Sequence, residues 1–207
     1  MRIIAGTKRG MKLFSPPPLL RFAKQSGGGS RPVLDRVKES VFNILYKYNM
    51  PEGKTVADLF CGVGSFGLEA ISRGAKFVTF VEKNPKVADV LKKNIAKADF
   101  AGQSKVVIAD AFKVGASPDA AGSKSAKHLA DKYDLVFVDP PYILTEDVGE
   151  KSPLFGLLNK LENQTTSDSL VLVRTHFEKE LLENYGIFHT IERRHWGTMA
   201  VTFLGRK

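Results

Sequence analysis

The chain has 207 residues, 43% of them hydrophobic, enough to bury the core of one main domain with a small appendage. No apolar stretch approaches the ~20 residues that a bilayer span needs, and the opening MRIIAGTKRG lacks the apolar core of a signal peptide. One cysteine, Cys61, excludes an internal disulfide, and His128, His176, His189 and His195 show no metal-ligand spacing. A cytoplasmic, metal-free enzyme is expected. The net charge of +9 is unevenly placed: residues 1–38 hold nine Lys/Arg against the single acid Asp35, so they carry +8 of it. A nearly neutral body with a basic arm points to a polyanionic partner, most economically nucleic acid, because each cation set on a phosphate releases counterions.

Residues 1–14 read as a small hairpin, with Ile3 and Ile4 in one arm, Met11, Leu13 and Phe14 in the other, and Gly6 and Gly10 for turning. Its bases are expected on display. Ser15 to Ser30, SPPPLLRFAKQSGGGS, is proline- and glycine-rich and reads as a connector without secondary structure. The domain organisation expected is therefore 1–30 for hairpin and linker and 31–207 for the main domain. Arg31 to Tyr48 follows as an amphipathic helix with Val37, Val41, Ile44, Leu45 and Tyr48 on one stripe. Arg36 and Lys38 lie off that stripe, in reach of a ligand or solvent.

Thr55 to Arg73, TVADLFCGVGSFGLEAISR, is the organising stretch: Val56, Ala57, Leu59 and Phe60 form a buried parallel strand, and Leu68, Ala70 and Ile71 the inner face of a helix that Gly74 can close. Between them Gly62, Gly64 and Gly67 make a G-x-G-x-x-G turn, a pattern shared by dinucleotide enzymes, S-adenosylmethionine enzymes and some purely structural turns. A second strand, Phe77 to Val81, ends at Glu82, where an acid can accept hydrogen bonds from both ribose hydroxyls of a nucleotide lying across the strand ends. Asn84-Pro85 opens a helix with Val87, Val90, Leu91 and Ile95 inward; a third strand, Lys105 to Ala109, ends at Asp110, which the same logic puts near the base. Either acid could instead cap a turn or helix.

Gly115 to Ala126 is small, polar and aperiodic, a surface insertion. Tyr133 to Val138 is the fourth strand and runs into Asp139-Pro140-Pro141-Tyr142. Ser152-Pro153 begins a helix bearing Leu154, Leu157, Leu158 and Leu161, Leu170 to Val173 is a fifth strand, and Phe177 to Asn184 a short helix. Ile187 to Glu192 and Thr198 to Leu204 form a terminal antiparallel pair. The alternation predicts a three-layer, Rossmann-like α/β sandwich, mostly parallel, with antiparallel strands at its end.

D-P-P-Y at a strand end is the most specific chemical signal. An exocyclic amino group on a base is a poor nucleophile because its lone pair is delocalised into the ring. The Asp139 carboxylate and the Pro140 carbonyl can take its two hydrogens and direct the lone pair at an electrophile, while Tyr142 offers a face for stacking an extruded base. The prolines stiffen that arrangement.

These features resemble the class I S-adenosylmethionine-dependent methyltransferases, specifically the bacterial small-subunit ribosomal RNA guanine-N2 methyltransferases of the RsmD type. The resemblance runs through MRIIAGTKRGMKL, RPVLDRVKESVFNIL, DLFCGVGSFGLEAISRGA, VEKNPKVADVLKKNI, DLVFVDPPY and WGTMAVTFL. It implies methyl transfer to N2 of a guanine in 16S ribosomal RNA, within a partly or fully assembled 30S particle, by a monomer. By position it implies Asp58, Gly62 and Gly64 around the methionine end of the cofactor, Glu82 at the ribose and Asp110 at the adenine, with Phe60, Lys83 and Ala111 beside them. Asp139, Pro140 and Tyr142 would hold the guanine, and Arg2, Lys8, Arg9, Lys12, Arg31, Arg36 and Lys38 the RNA. Val33 and Leu34 stand where two threonines are common, and Arg174 where an acid is common. An NAD-dependent oxidoreductase would share the glycine spacing and Glu82 but gives no reason for D-P-P-Y. An amino-methyltransferase acting on adenine or cytosine of another nucleic acid would share D-P-P-Y but needs a recognition domain for which few residues remain. A non-catalytic RNA-binding module need not keep Asp139 or the glycines.

Overall fold

The structure is a computed structural model that describes residues 1–16, 35–116 and 132–207. Its elements are α1 (Asp35–Tyr46), β1 (Thr55–Leu59), α2 (Ser65–Ser72), β2 (Phe77–Glu82), α3 (Pro85–Ala98), β3 (Ser104–Ile108), α4 (Ala111–Val114), β4 (Tyr133–Val138), α5 (Pro153–Leu161), β5 (Thr165–His176), β6 (Asn184–Tyr185), β7 (Phe188–Trp196) and β8 (Met199–Arg206). One eight-stranded sheet runs in the order β3-β2-β1-β4-β5-β8-β7-β6. β3 to β5 are mutually parallel, and β8, β7 and β6 are each antiparallel to the preceding strand.

Strand pleating divides the core into two layers. Val56, Leu135, Phe137, Leu170 and Leu172 face one side with α1, α2 and α3, whereas Ala57, Leu59, Val136, Val138, Val171 and Val173 face the other with α4 and α5. Near-continuous apolar strands are what a parallel sheet covered on both faces requires. Two helix starts follow from their sequence: the Asn84 side chain accepts from Lys86 N, and the Ser152 hydroxyl accepts from Phe155 N, each with proline in the first turn.

Residues 1–14 pair through an Arg2–Lys12 antiparallel bridge and lie against α2 and α3. Ile3 and Leu13 join the core. Glu69 accepts from Ile4 N (2.8 Å) and Ala5 N (3.0 Å), and the Ser72 hydroxyl donates to Ala5 O (2.6 Å) while accepting from Lys8 N (3.0 Å).

Several expectations change. Phe60 is not in the strand: its φ of 58° begins the turn, and its ring meets Phe112 at 4.9 Å. β5 is far longer than Leu170–Val173, because its second half pairs with β8 from Leu170 to His176. Phe177 to Asn184 is not helical; Arg193 donates to the carbonyls of Phe177 and Lys179, and Thr190 N donates to Glu183 O (3.0 Å), which draws the backbone out along the sheet edge. The Pro/Gly-rich connector beyond Pro16, the first residues of the Arg31 helix and the insertion from residue 117 lie outside the described residues. Among the described residues, no helix is long and apolar enough to cross a membrane.

Candidate active site

The glycine turn and the acids expected at the strand ends meet at the carboxyl edge of β1 to β4. Gly62 N donates to Glu82 Oε2 (2.9 Å), and Glu82 Oε1 accepts from Asn84 N (2.8 Å). A carboxylate offers about four acceptor positions, so two backbone N–H groups orient Glu82 without exhausting it. Gly64 has φ 89°, and a Cβ there would lie 2.5 Å from the Leu91 side chain. Gly67 packs so closely that a Cβ would run into the Phe80 ring. The turn can therefore bring backbone N–H groups close to a ligand only as glycine.

Asp58 is 1% exposed, and its Oδ2 accepts from Gly67 N (2.8 Å), which ties β1 to the start of α2. Burial above all, then the charges of Asp139 and Glu82, push its pKa up to about 8, against the Gly67 hydrogen bond and the Arg174 charge. Asp110 caps α4 by accepting from Phe112 N (3.1 Å) and pairs with Lys83 Nζ (2.9 Å); the Lys83 hydrogen bond is the main reason its pKa is lowered. Ala111 is buried beneath it.

Asp139 continues β4, its N–H donating to Leu59 O (3.3 Å) at the end of β1. Pro140 is buried, and Pro141 has φ −53° and ψ 140°. Tyr142 then opens a short 3-10 turn closed by Leu144 N to Pro141 O (2.9 Å). Its ring meets His176 edge-on, centroids 5.7 Å apart. Arg174, buried near the end of β5, forms an ion pair with Asp139.

Arg2, Arg9 and Lys12 are exposed on the hairpin, Lys8 is half-buried there with its ammonium over the Phe100 ring, and Arg36 is exposed on α1. Arg31 lies outside the described residues. Lys38 is a correction. It is completely buried, pairs with Glu69 (3.0 Å) and donates to Arg2 O (2.6 Å), because the hairpin covers the flank of α1 that the stripe left open. The sequence reading also missed Arg174 and His176 as site residues. Arg174 carried the signal that found Asp58, Glu82 and Asp139, a charge at the carboxyl end of a buried strand. His176 carried none. No group of three or more His, Cys, Asp or Glu able to hold a metal ion occurs among the described residues.

The chain is similar to known proteins over its whole length. A family model described as conserved hypothetical protein 95 matches residues 1–205. Ribosomal RNA small subunit methyltransferase D of Haemophilus influenzae is 35% identical over 88% of this chain and 82% of its own. Putative rRNA methyltransferase YlbH of Bacillus subtilis is 27% identical over the whole of both. The structure titled putative methyltransferase yhhF from Escherichia coli superposes with TM-score 0.74, at 27% identity over 100% of this chain and 98% of that one. Matched by the family model over residues 1–205 and by a small-subunit enzyme over most of both chains, the protein belongs to the ribosomal RNA small subunit methyltransferase D family.

Proposed function

We propose that this protein methylates the exocyclic N2 of one guanine in 16S ribosomal RNA, presented in an assembling or assembled small subunit, using S-adenosylmethionine and acting as a metal-free monomer. The observation that carries the reading is the acceptor group at the end of β4: Asp139 followed by a buried Pro140, joined to the end of β1 by Asp139 N to Leu59 O. That connection holds the amino-group acceptors beside the glycine turn.

The bound cofactor would supply an electrophilic methyl carried on a sulfonium. Glu82, already oriented by Gly62 N and Asn84 N, would accept from the ribose hydroxyls, and Asp110 and Ala111 would border the adenine. Gly62 and Gly64 would face the methionine end beside Phe60, with Asp58 fixing the turn from below and Lys83 anchoring Asp110. The Asp139 carboxylate and the Pro140 carbonyl accept the two amino hydrogens of the guanine, so the nitrogen lone pair points at the methyl group. Asp139 would also take the proton that the nitrogen sheds as its new bond to carbon forms and the methyl–sulfur bond breaks, leaving the neutral thioether as the second product. No enzyme nucleophile is called for. Tyr142 would stack on the extruded base. Arg2, Lys8, Arg9, Lys12 and Arg36 would contact phosphates, with Arg31 in the same set.

Asp139→Ala removes one acceptor and leaves Glu82, the glycine turn and the hairpin intact. Single-turnover transfer of labelled methyl to unmodified small subunits should fall about a hundred- to a thousandfold, with cofactor affinity unchanged by calorimetry. The wild-type product should be N2-methylguanosine. N6-methyladenosine would overturn the base assignment, and full activity in Asp139→Ala would overturn the mechanism.

A further inference from the structure

Arg174 lies one step beyond the Val138–Val173 register pair, which sets it opposite Asp139 on the neighbouring parallel strand. Its guanidinium is buried and touches both functional ends of the D-P-P-Y segment. Nε pairs with Asp139 Oδ1, and Cζ sits 5.9 Å from the centroid of the Tyr142 ring. Nη1 contacts Met199 Sδ (3.8 Å) on β8, so the arginine is braced from the antiparallel half of the sheet. Asp139 Oδ1 is fully buried against this cation, yet the side chain as a whole keeps 19% exposure. The exposure therefore lies on its other atoms. The contact is a close ion pair rather than an aligned hydrogen bond, and between buried groups such a pair is only weakly screened. Glu82 is a further buried carboxylate at the same edge.

Resting on the methyl-transfer reading above, we propose that Arg174 is a positioning residue. It anchors Asp139 Oδ1 so that Oδ2, ionised, faces the amino group, and it backs the Tyr142 ring from the same point. The residue acts through Asp139 and Tyr142 and need not touch the substrate.

The test is a cycle between Arg174→Met and Asp139→Asn, read as single-turnover methyl transfer with product identification. Arg174→Met alone should slow transfer on the order of a hundredfold, and on acidification the rate should begin to fall at a higher pH than in wild type because the carboxylate has lost its cation. In the Asp139→Asn background the same substitution should cost about tenfold or less, since there is no carboxylate left to position and only the backing of Tyr142 is lost. S-adenosylhomocysteine affinity, measured by calorimetry, should stay within about twofold. Arg174→Lys, which keeps the charge without the fork, should fall between wild type and Arg174→Met, and it carries the test if Arg174→Met does not fold. Wild-type activity and pH profile in either folded variant, or an equal loss in both backgrounds, overturns the inference alone. A wild-type protein that yields no methylated nucleoside overturns the functional reading with it.

Discussion

Glu69 offers a quantitative test of how the basic hairpin is held. Its buried carboxylate accepts from Ile4 N and Ala5 N and pairs with Lys38 Nζ (3.0 Å) and Arg73 Nε (2.8 Å), all of them on segments that meet at α2. Glu69→Gln keeps the shape but removes the carboxylate with which both buried cations of this cluster pair. Breaking a buried pair from one side costs about 3–5 kcal/mol, and turning an amide NH₂ toward a backbone N–H adds about 1–3 kcal/mol for an unmet donor. The two penalties overlap, so we expect a loss of about 4–5 kcal/mol, a large part of the ~5–15 kcal/mol of a typical domain. Lys38→Met should cost less. Burial already lowers the Lys38 pKa despite Glu69, and removing the ammonium leaves Glu69 with Arg73 and both hairpin N–H groups. Urea unfolding gives the two losses, and hydrogen exchange at the Ile4 and Ala5 amides shows whether the hairpin opens first. A Glu69→Gln loss under ~1 kcal/mol with those amides still protected would refute the clamp.

Two further outcomes are expected. The Asp58 pKa, raised to about 8, means that between about pH 4 and pH 8 the folded protein keeps a proton that the unfolded chain has released, so this group's contribution to stability declines as pH rises, by at most ~1.4 kcal/mol per unit. Asp58→Asn keeps an acceptor for Gly67 N and should flatten that decline; parallel stability–pH curves would remove Asp58 as its source. Replacing Arg9 and Lys12 with glutamine should shallow the log–log salt dependence of RNA binding by up to ~0.9 per lost duplex phosphate contact, and an unchanged slope would make those charges bystanders.

What the sequence made legible was whatever short-range chemistry controls. Strands β1, β2 and β4 announce themselves as apolar runs closed by Glu82 or Asp139 or broken by the glycine turn, and α3 and α5 by Asn84-Pro85 and Ser152-Pro153. The misreadings are contacts made across the chain. Thr165 to Ser169 is too polar to read as strand, yet Arg206 donates to Thr165 O (3.0 Å) and carries β5 through it. Phe177 to Asn184 reads as a short helix, but Tyr185 accepts from Leu182 N and donates to Val148 O, an arrangement that local sequence cannot foresee. Lys38 falls outside the apolar stripe of α1 by local spacing, and only the hairpin, more than thirty residues earlier, makes its position interior. Arg174 stood out as a departure from a family pattern, but its partner was visible only once β4 and β5 were aligned.

The same long-range contacts bear on how substrate and cofactor are brought together. The Asn94 side chain, fully buried on α3, donates from Nδ2 both to Phe14 O (3.1 Å), where the hairpin ends, and to Val63 O (3.1 Å), inside the glycine turn. Its Oδ1 accepts from Phe14 N (2.7 Å). One amide thus satisfies the hairpin backbone and the turn backbone together. The hairpin is also fixed to α2, the helix that the turn starts, by Glu69 and Ser72. Arg9 and Lys12 are then displayed from a platform tied to the glycine turn. A charged surface that is already ordered loses less conformational entropy on binding than a loose basic tail would. On the proposed reading it would grip phosphates at set distances from the acceptor group, and would favour RNA whose backbone is itself held in shape over a flexible strand that could adapt anywhere.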